Sequence, residues 1–166
     1  MDAAELDAII GQRRALGHDR FDEIWEGEYR VVPGPAFRHA RVDADLQAAL
    51  RPLARAVGLT CAAQFNLGEP QDYRVPDQGY VRGNPCGTYV PTAEVVVEVL
   101  SPGDRSYDKF GFFAARHVRE IVIADPETAT VEIHLLGDHG LDYTRTDLSA
   151  VLGVDAAVLA AAIDWS

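Results

Sequence analysis

Residues 94–100 read Glu-Val-Val-Val-Glu-Val-Leu and are stopped at once by Ser101-Pro102-Gly103. Valine crowds the preceding turn of a helix but packs well on a pleated surface, so this run is the clearest strand in the chain. Alternate side chains of a strand share a face. Val95, Val97 and Val99 therefore point one way, toward a covering helix, and Glu94, Val96, Glu98 and Leu100 point the other way. Glu98 thus lies deep in a valine-rich strand. A carboxylate there is expensive to desolvate unless it is paired or binds a metal. The alternative setting is a half-solvated sheet face.

The rest of the chain arranges itself around that strand. Asp2 with Glu5 reads as a capping box opening a helix to about Leu16, with Gly17 as its left-handed terminator. Residues 22–32 form a β-hairpin turning at Glu26-Gly27, and Pro33-Gly34-Pro35 breaks it. Val42, Leu46, Ala49, Leu50, Leu53 and Val57 recur at steps of three and four, which predicts a helix over about 38–57. Pro52 inside it predicts a kink or an early break. A strand over 59–65, short strands near Tyr73–Val75 and Gly79–Val81, a helix over 106–118, strands at 120–124 and 130–136 with a hairpin to Leu141–Tyr143, and a helical tail from Val154 complete the order. The expectation is a mixed α/β (α+β) single domain over residues 1–166, with one mixed sheet flanked by helices and an N-terminal helix and hairpin.

Composition sets limits on function. The 166 residues carry 15 basic and 26 acidic side chains, a net charge of −11, which counts against a general affinity for phosphate backbones. A local basic patch or a metal can still invert the field within one site. No apolar run approaches the roughly 20 residues needed to span a bilayer. The acidic N-terminus lacks the apolar stretch of a secretory signal, so the expected location is the cytoplasm. Cys61 and Cys86 form neither a CxxC pair nor a disulfide framework, and Cys61 reads as a core residue.

Three residues point to chemistry. Glu98 is the first. Asp77, after Val75-Pro76, would end a short strand beside the Glu98 strand, although Asp-Gln-Gly also suits a turn. Lys109 is the third and the most informative. It is the only lysine among 15 basic residues; the other 14 are arginine. Lysine offers a compact charge that can position or deprotonate a water, whereas an ordinary surface lysine near a helix start is the plain alternative. Two carboxylates from adjacent strands can hold a hard cation such as Mg²⁺, with waters completing the octahedron. Such an ion neutralises a phosphodiester and acidifies a bound water, while a nearby ammonium orients that water. Two carboxylates this close repel each other without metal, so one of them should be harder to ionise.

Several segments, in order, resemble a known family. They are Trp25-Glu26-Gly27-Glu28-Tyr29-Arg30-Val31-Val32-Pro33; His39 opening a helix; Val75-Pro76-Asp77; Val97-Glu98-Val99-Leu100-Ser101-Pro102; Lys109 with Phe113-Ala114-Ala115; and Glu120-Ile121-Val122-Ile123-Ala124-Asp125-Pro126. Together they resemble the Uma2 family, restriction endonuclease-like domains of the PD-(D/E)XK nuclease superfamily, over about residues 21–136. The resemblance implies a restriction endonuclease-like core, DNA as substrate and dependence on Mg²⁺, with Mn²⁺ as a substitute. On the matching positions Asp77 and Glu98 are the metal-binding carboxylates, aided by a carbonyl of Val99 or Leu100, and Lys109 stands for the lysine displaced onto the following helix. Leu100 occupies the place of that lysine in the Glu-x-Lys pattern, and Ile121-Val122 replaces Tyr-Trp.

Glu26 is a further candidate ligand, with a hairpin-turn residue as its alternative. His39 could contact the phosphate or hold a metal-bound water, or simply sit at a helix start. His18, His134 and His139 lack ligand spacing and read as surface residues, His117 as a packing residue and Asp125 as a turn residue. Cutting both strands of DNA would suit a twofold homodimer. Two rival functions remain at this stage: a nuclease fold kept as a non-catalytic binding module, and a hydrolase of a small metabolite in the same acidic pocket. Geometry separates them. A Lys109 turned to solvent would defeat the nuclease reading, and a closed pocket too narrow for duplex would favour the metabolite.

Overall fold

The computed structural model describes residues 3–103 and 105–166, so Asp2 of the expected capping box lies outside the described residues. Helix α1 (Ala3–Ala15) precedes a hairpin of β1 (Glu23–Trp25) and β2 (Glu28–Arg30). Trp25 pairs with Glu28, leaving Glu26 and Gly27 as a two-residue turn with φ of 51° and 85°. Positive φ at both central residues matches the twist of the flanking strands.

Helix α2 (Phe37–Ala56) follows the Pro33–Pro35 break. Pro52 neither ends it nor cuts it short, because the helix runs four residues further. The carbonyl freed by the missing N–H belongs to Ala48, which is exposed and open to water. The chain continues through β3 (Leu59–Ala63), β4 (Asn66–Glu69), β5 (Asp72–Arg74), β6 (Gln78–Arg82), β7 (Tyr89–Val90) and β8 (Val95–Val99). A 3-10 turn (Ser106–Lys109) leads into α3 (Phe110–Ala115), followed by β9 (Glu120–Asp125), β10 (Thr130–Leu136), β11 (Tyr143–Thr146) and α4 (Ala156–Ala161).

The fold is mixed α+β, with two sheets where the sequence suggests one. The larger has the order β11-β10-β9-β8-β6-β3, and the smaller β2-β1-β5-β4-β7. The division begins at Gln64, whose φ of 48° ends the expected 59–65 strand at Ala63. The chain then starts β4 in the second sheet. The helix expected over 106–118 is likewise a 3-10 turn and a short α-helix ending at Ala115.

The central strand behaves as its pattern dictates. Val95, Val97 and Val99 pack with Val42, Leu46, Leu50 and Ala54 of α2 and with Leu159 of α4. Each such side chain, removed from water, contributes about 1.5–3 kcal/mol. Val96 faces the opposite way, onto Phe113, Ile121, Ile123 and Leu67. The larger sheet is therefore covered on both faces, by α2 and α4 on one side and by α3 with part of the smaller sheet on the other. Glu98 shares the Val96 face, at the end of β8 where the smaller sheet and the 3-10 turn meet. Among the described residues no helix is long and apolar enough to cross a membrane.

Candidate active site

β6 and β8 are antiparallel, and the pairing of Gln78 with Val97 sets Asp77 at the level of Glu98. The Val99 N–H donates to Asp77 Oδ2 at 2.8 Å. The other carboxylate oxygen, Oδ1, meets His39 Nε2 at 3.0 Å, and His39 Nδ1 lies 3.1 Å from Ser101 Oγ. A neutral ring that donates Nε2–H to Asp77 accepts from the Ser101 hydroxyl at Nδ1. His39 stands one turn into α2 and thereby ties that helix to the end of β8.

Lys109, at the end of the 3-10 turn, reaches inward. Its Nζ donates to both Glu98 oxygens at 3.0 and 3.1 Å and lies 3.1 Å from Glu23 Oε1. Ser106 Oγ donates to Glu98 Oε2 at 3.3 Å. Glu23 is fixed in turn by the Val75 N–H at 2.8 Å and the Trp25 indole N–H at 2.6 Å. The structure thus brings Asp77, Glu98, Lys109 and His39 into one cluster and adds Glu23 to it.

Glu26 does not join them. It is exposed at the hairpin turn, where its left-handed backbone is needed and its own N–H donates to Asp72 Oδ1 at 3.0 Å. The acidic contribution of the hairpin comes from Glu23, three residues earlier. The signal for it was in the period of two: Glu23 and Trp25 share a strand face, whereas Glu26 is already in the turn. Two histidines also depart from expectation. His117 is exposed, with φ of 56° just past α3, and does not pack. His134 is largely covered and hydrogen-bonded to Glu132 Oε2 at 2.9 Å. Asp125 is a turn residue, accepting from the Glu127 N–H and the Thr128 hydroxyl. Cys61 is half-buried and packs against the core.

The electrostatics are unbalanced by design of the sequence. Three carboxylates, Glu23, Asp77 and Glu98, surround one ammonium. Burial pushes the Glu98 carboxyl up to about 8; Lys109 opposes this, while Asp77 and Glu23 reinforce it. Burial lowers the proton affinity of Lys109, but Glu98 and Glu23 outweigh it and hold the amine above the usual lysine range. Lys109 is therefore an ammonium at neutral pH. The surplus of negative charge, and the hard oxygen donors of Asp77 and Glu98, fit a dication of the Mg²⁺ kind, which takes one or two carboxylates and keeps several waters. Among the described residues no group of three or more His, Cys, Asp and Glu side chains could by itself hold a metal ion.

The cluster forms the floor of a cavity of about 700 Å³. One wall carries Phe21, Trp25 and Val31–Ala36, and another Ser101–Gly103 and Arg105. Arg74, buried beneath, lies between the rings of Trp25 and Phe112, at 4.3 and 4.1 Å from their centroids, and so joins the hairpin to α3.

The fold is shared with a solved structure, that of "a putative nuclease belonging to DUF820" from Anabaena variabilis. It aligns at a TM-score of 0.68 and 13% identity, over 85% of this chain and 90% of that one. No curated protein matches the sequence. The Uma2 family, described as "Putative restriction endonuclease", matches residues 13–161, so that nearly the whole chain, the cluster included, is covered. The chain belongs to the Uma2 family.

Proposed function

We propose that the protein is a metal-dependent endonuclease that hydrolyses DNA phosphodiester bonds, with Asp77, Glu98 and Lys109 as its catalytic residues. One observation carries the reading. The only lysine of the chain is turned inward, its side chain 12% exposed, and is held between Glu98 and Glu23 at the floor of an accessible cavity. A lysine serving solubility would extend into water, and a core this acidic would be a poor way to stabilise a fold. The family description and the nuclease fold of the Anabaena protein favour the same chemistry.

Asp77 and Glu98 would hold Mg²⁺, or Mn²⁺ in its place, and the bound ion would neutralise the phosphate and acidify a water. The remaining work falls to the chain. Lys109 carries three N–H donors and meets three carboxylate oxygens of Glu98 and Glu23 at 3.0 to 3.1 Å, so an oxygen of the incoming phosphate or of the attacking water would take over a donor from one of them. Because the amine stays protonated, its part is to position and to stabilise developing negative charge rather than to remove a proton. Glu23 aims Lys109 and holds Trp25 in the wall. His39 and the Val99 N–H fix the two oxygens of Asp77, which keeps the carboxylate from rotating away from Glu98.

Incubation with supercoiled and single-stranded DNA in Mg²⁺ or Mn²⁺ tests the proposal, with Glu98→Ala alongside. Cleavage by the parent and none by the variant is expected. Equal cleavage by both would assign the activity elsewhere and defeat it.

A further inference from the structure

The floor of the cavity has no cation to spare. Three carboxylates, Glu23, Asp77 and Glu98, outnumber the one ammonium of Lys109 there, in a chain whose net charge is −11. Even with a dication bound, that floor would only reach neutrality. Nucleic acid is held largely through its phosphates, and the ones beside the reacting phosphate need cations of their own. Those cations have to come from the walls.

Two of the 14 arginines line the walls, Arg30 at the end of β2 and Arg105 just before the 3-10 turn. One indole carries both. Their guanidiniums lie 4.3 and 5.3 Å from the centre of the Trp25 ring. A guanidinium lying over an aromatic face is kept in place while its N–H edge can still meet a phosphate. Trp25 is fixed in turn, because its indole N–H donates to Glu23 Oε2 at 2.6 Å, and Glu23 Oε1 lies 3.1 Å from Lys109 Nζ. Two residues therefore join the arginine pair to the ammonium on the floor.

The arginines hold donors in reserve. Arg30 donates from Nη2 to Glu28, and Arg105 from Nε to Asp108. Among the described residues the Nη groups of Arg105 and the Nη1 of Arg30 make no hydrogen bond. The two carboxylate partners are 71 and 50% exposed. Exposed pairs of this kind are weak, whereas a guanidinium grips a phosphate through two parallel bonds. Arg74, the third guanidinium over Trp25, is the contrast. It is buried, stands outside the cavity lining, and donates to the carbonyls of Ile24 and Tyr73 and to Asp72. Its donors serve the fold, and those of the other two face the cavity.

We propose that Arg30 and Arg105 form a subsite for a second phosphate, the internucleotide phosphate next to the one that reacts at Lys109, with Trp25 as the residue that positions both guanidiniums. The proposal rests on the nuclease reading and narrows its substrate to a chain with neighbouring phosphodiesters. A lone phosphodiester fills the floor and leaves the subsite empty.

Kinetics of the full chain in Mn²⁺ on two substrates test it. One is a labelled oligodeoxynucleotide, which carries neighbouring phosphates; the other is bis(p-nitrophenyl) phosphate, a single diester. Arg105→Gln and Arg30→Gln should each lower kcat/KM for the oligonucleotide about tenfold or more. The loss should fall chiefly on KM, and it should be several times larger than the loss on the small diester. Oligonucleotide binding in Ca²⁺, followed by fluorescence anisotropy, should weaken in parallel. The slope of log K against log salt should drop by about 1 for each arginine. Arg105 and its partner are both exposed, so Arg105→Gln reports on the subsite and not on folding. Arg119→Gln removes an exposed arginine outside the cavity and should match the parent in both measurements. An Arg105→Gln protein with the parent's oligonucleotide KM and affinity overturns the subsite. So do equal losses on the two substrates, or an equal loss in Arg119→Gln. If cleavage that Glu98→Ala abolishes persists in any of these cases, the nuclease reading stands without the subsite. A parent that cleaves neither substrate overturns both.

Discussion

Asp22 and Glu98 are both buried, at 1 and 4% exposure, and both face cations, yet their surroundings drive them in opposite directions. Burial pushes Asp22 up, but donors from Arg13, Tyr29 and the Val32 N–H outweigh it and hold the carboxyl below its ordinary value. Arg13 donates twice, at 2.7 and 2.8 Å, the Tyr29 hydroxyl once, and the Val32 N–H at 2.9 Å. Four donors meet the four lone-pair directions of a carboxylate. The group is saturated, and it fastens α1, the hairpin and the loop after it. Glu98 has instead one ammonium, shared with Glu23, a long bond from the Ser106 hydroxyl at 3.3 Å, and the charge of Asp77 beside it. The first arrangement is a fastening. The second holds spare acceptor capacity and surplus negative charge, which is what a dication and a phosphate require.

The largest expected effect is at Glu98. Glu98→Gln should lower the metal-dependent cleavage rate by about 10³-fold or more. In the metal-free protein it should leave the melting temperature at neutral pH unchanged or raised, because burial already favours the uncharged form of that carboxyl, which the amide reproduces. A large loss of stability would make Glu98 a second Asp22. Asp22→Asn should show the reverse, a loss of about 2–3 kcal/mol of stability in denaturant titration, with cleavage by the remaining folded protein near that of the parent. His39→Ala should come next. Losing the group that fixes Asp77 typically lowers activity about 10–100-fold, with a loss of stability of about 1–2 kcal/mol from the broken tie between α2 and the end of β8.

The smallest effect concerns pH. Burial pushes Asp43, one turn along α2 from His39, up to about 6. A carboxyl raised in the folded state favours folding most below its unfolded pKa, and that contribution is lost as pH rises toward about 6. Asp22, lowered in the folded state, works with the opposite sign. Its contribution is present above the unfolded pKa and lost as pH falls through the folded one. Gln78 Nε2 donates to Asp43 Oδ1 at 2.6 Å, and an asparagine oxygen could accept the same bond. Asp43→Asn should therefore gain up to about 1–2 kcal/mol at pH 7, discounted for partial exposure, and nothing at pH 4. Stability curves of the two variants against pH should diverge at opposite ends.

Much of this was legible in the residues. Period two in 95–99 gave the face toward α2, and the residues of β6 and β9 that pair with that strand are buried. The solitary lysine marked itself by contrast with 14 arginines. What escaped was long-range. Strands β4 and β7 are four and two residues long, within a Gly- and Pro-rich stretch, and their pairing is defined by the partner strand rather than by their own pattern. The second sheet was hidden for the same reason. Glu23 was missed because the sequence shows which carboxylates lie in the hairpin but not which of them the fold of β5 and the 3-10 turn will meet. The role of Arg74 between two rings needed the same tertiary contact.

The most direct measurement is made on Lys109→Met, with Mg²⁺ affinity by calorimetry and DNA cleavage followed on the same preparation. Removing the ammonium takes away the counter-charge that Glu98 and Glu23 share. The account predicts that Mg²⁺ binds at least as tightly as in the parent, while cleavage falls by about 10²–10⁴-fold. Cleavage at the parent rate by a folded Lys109→Met protein would contradict it.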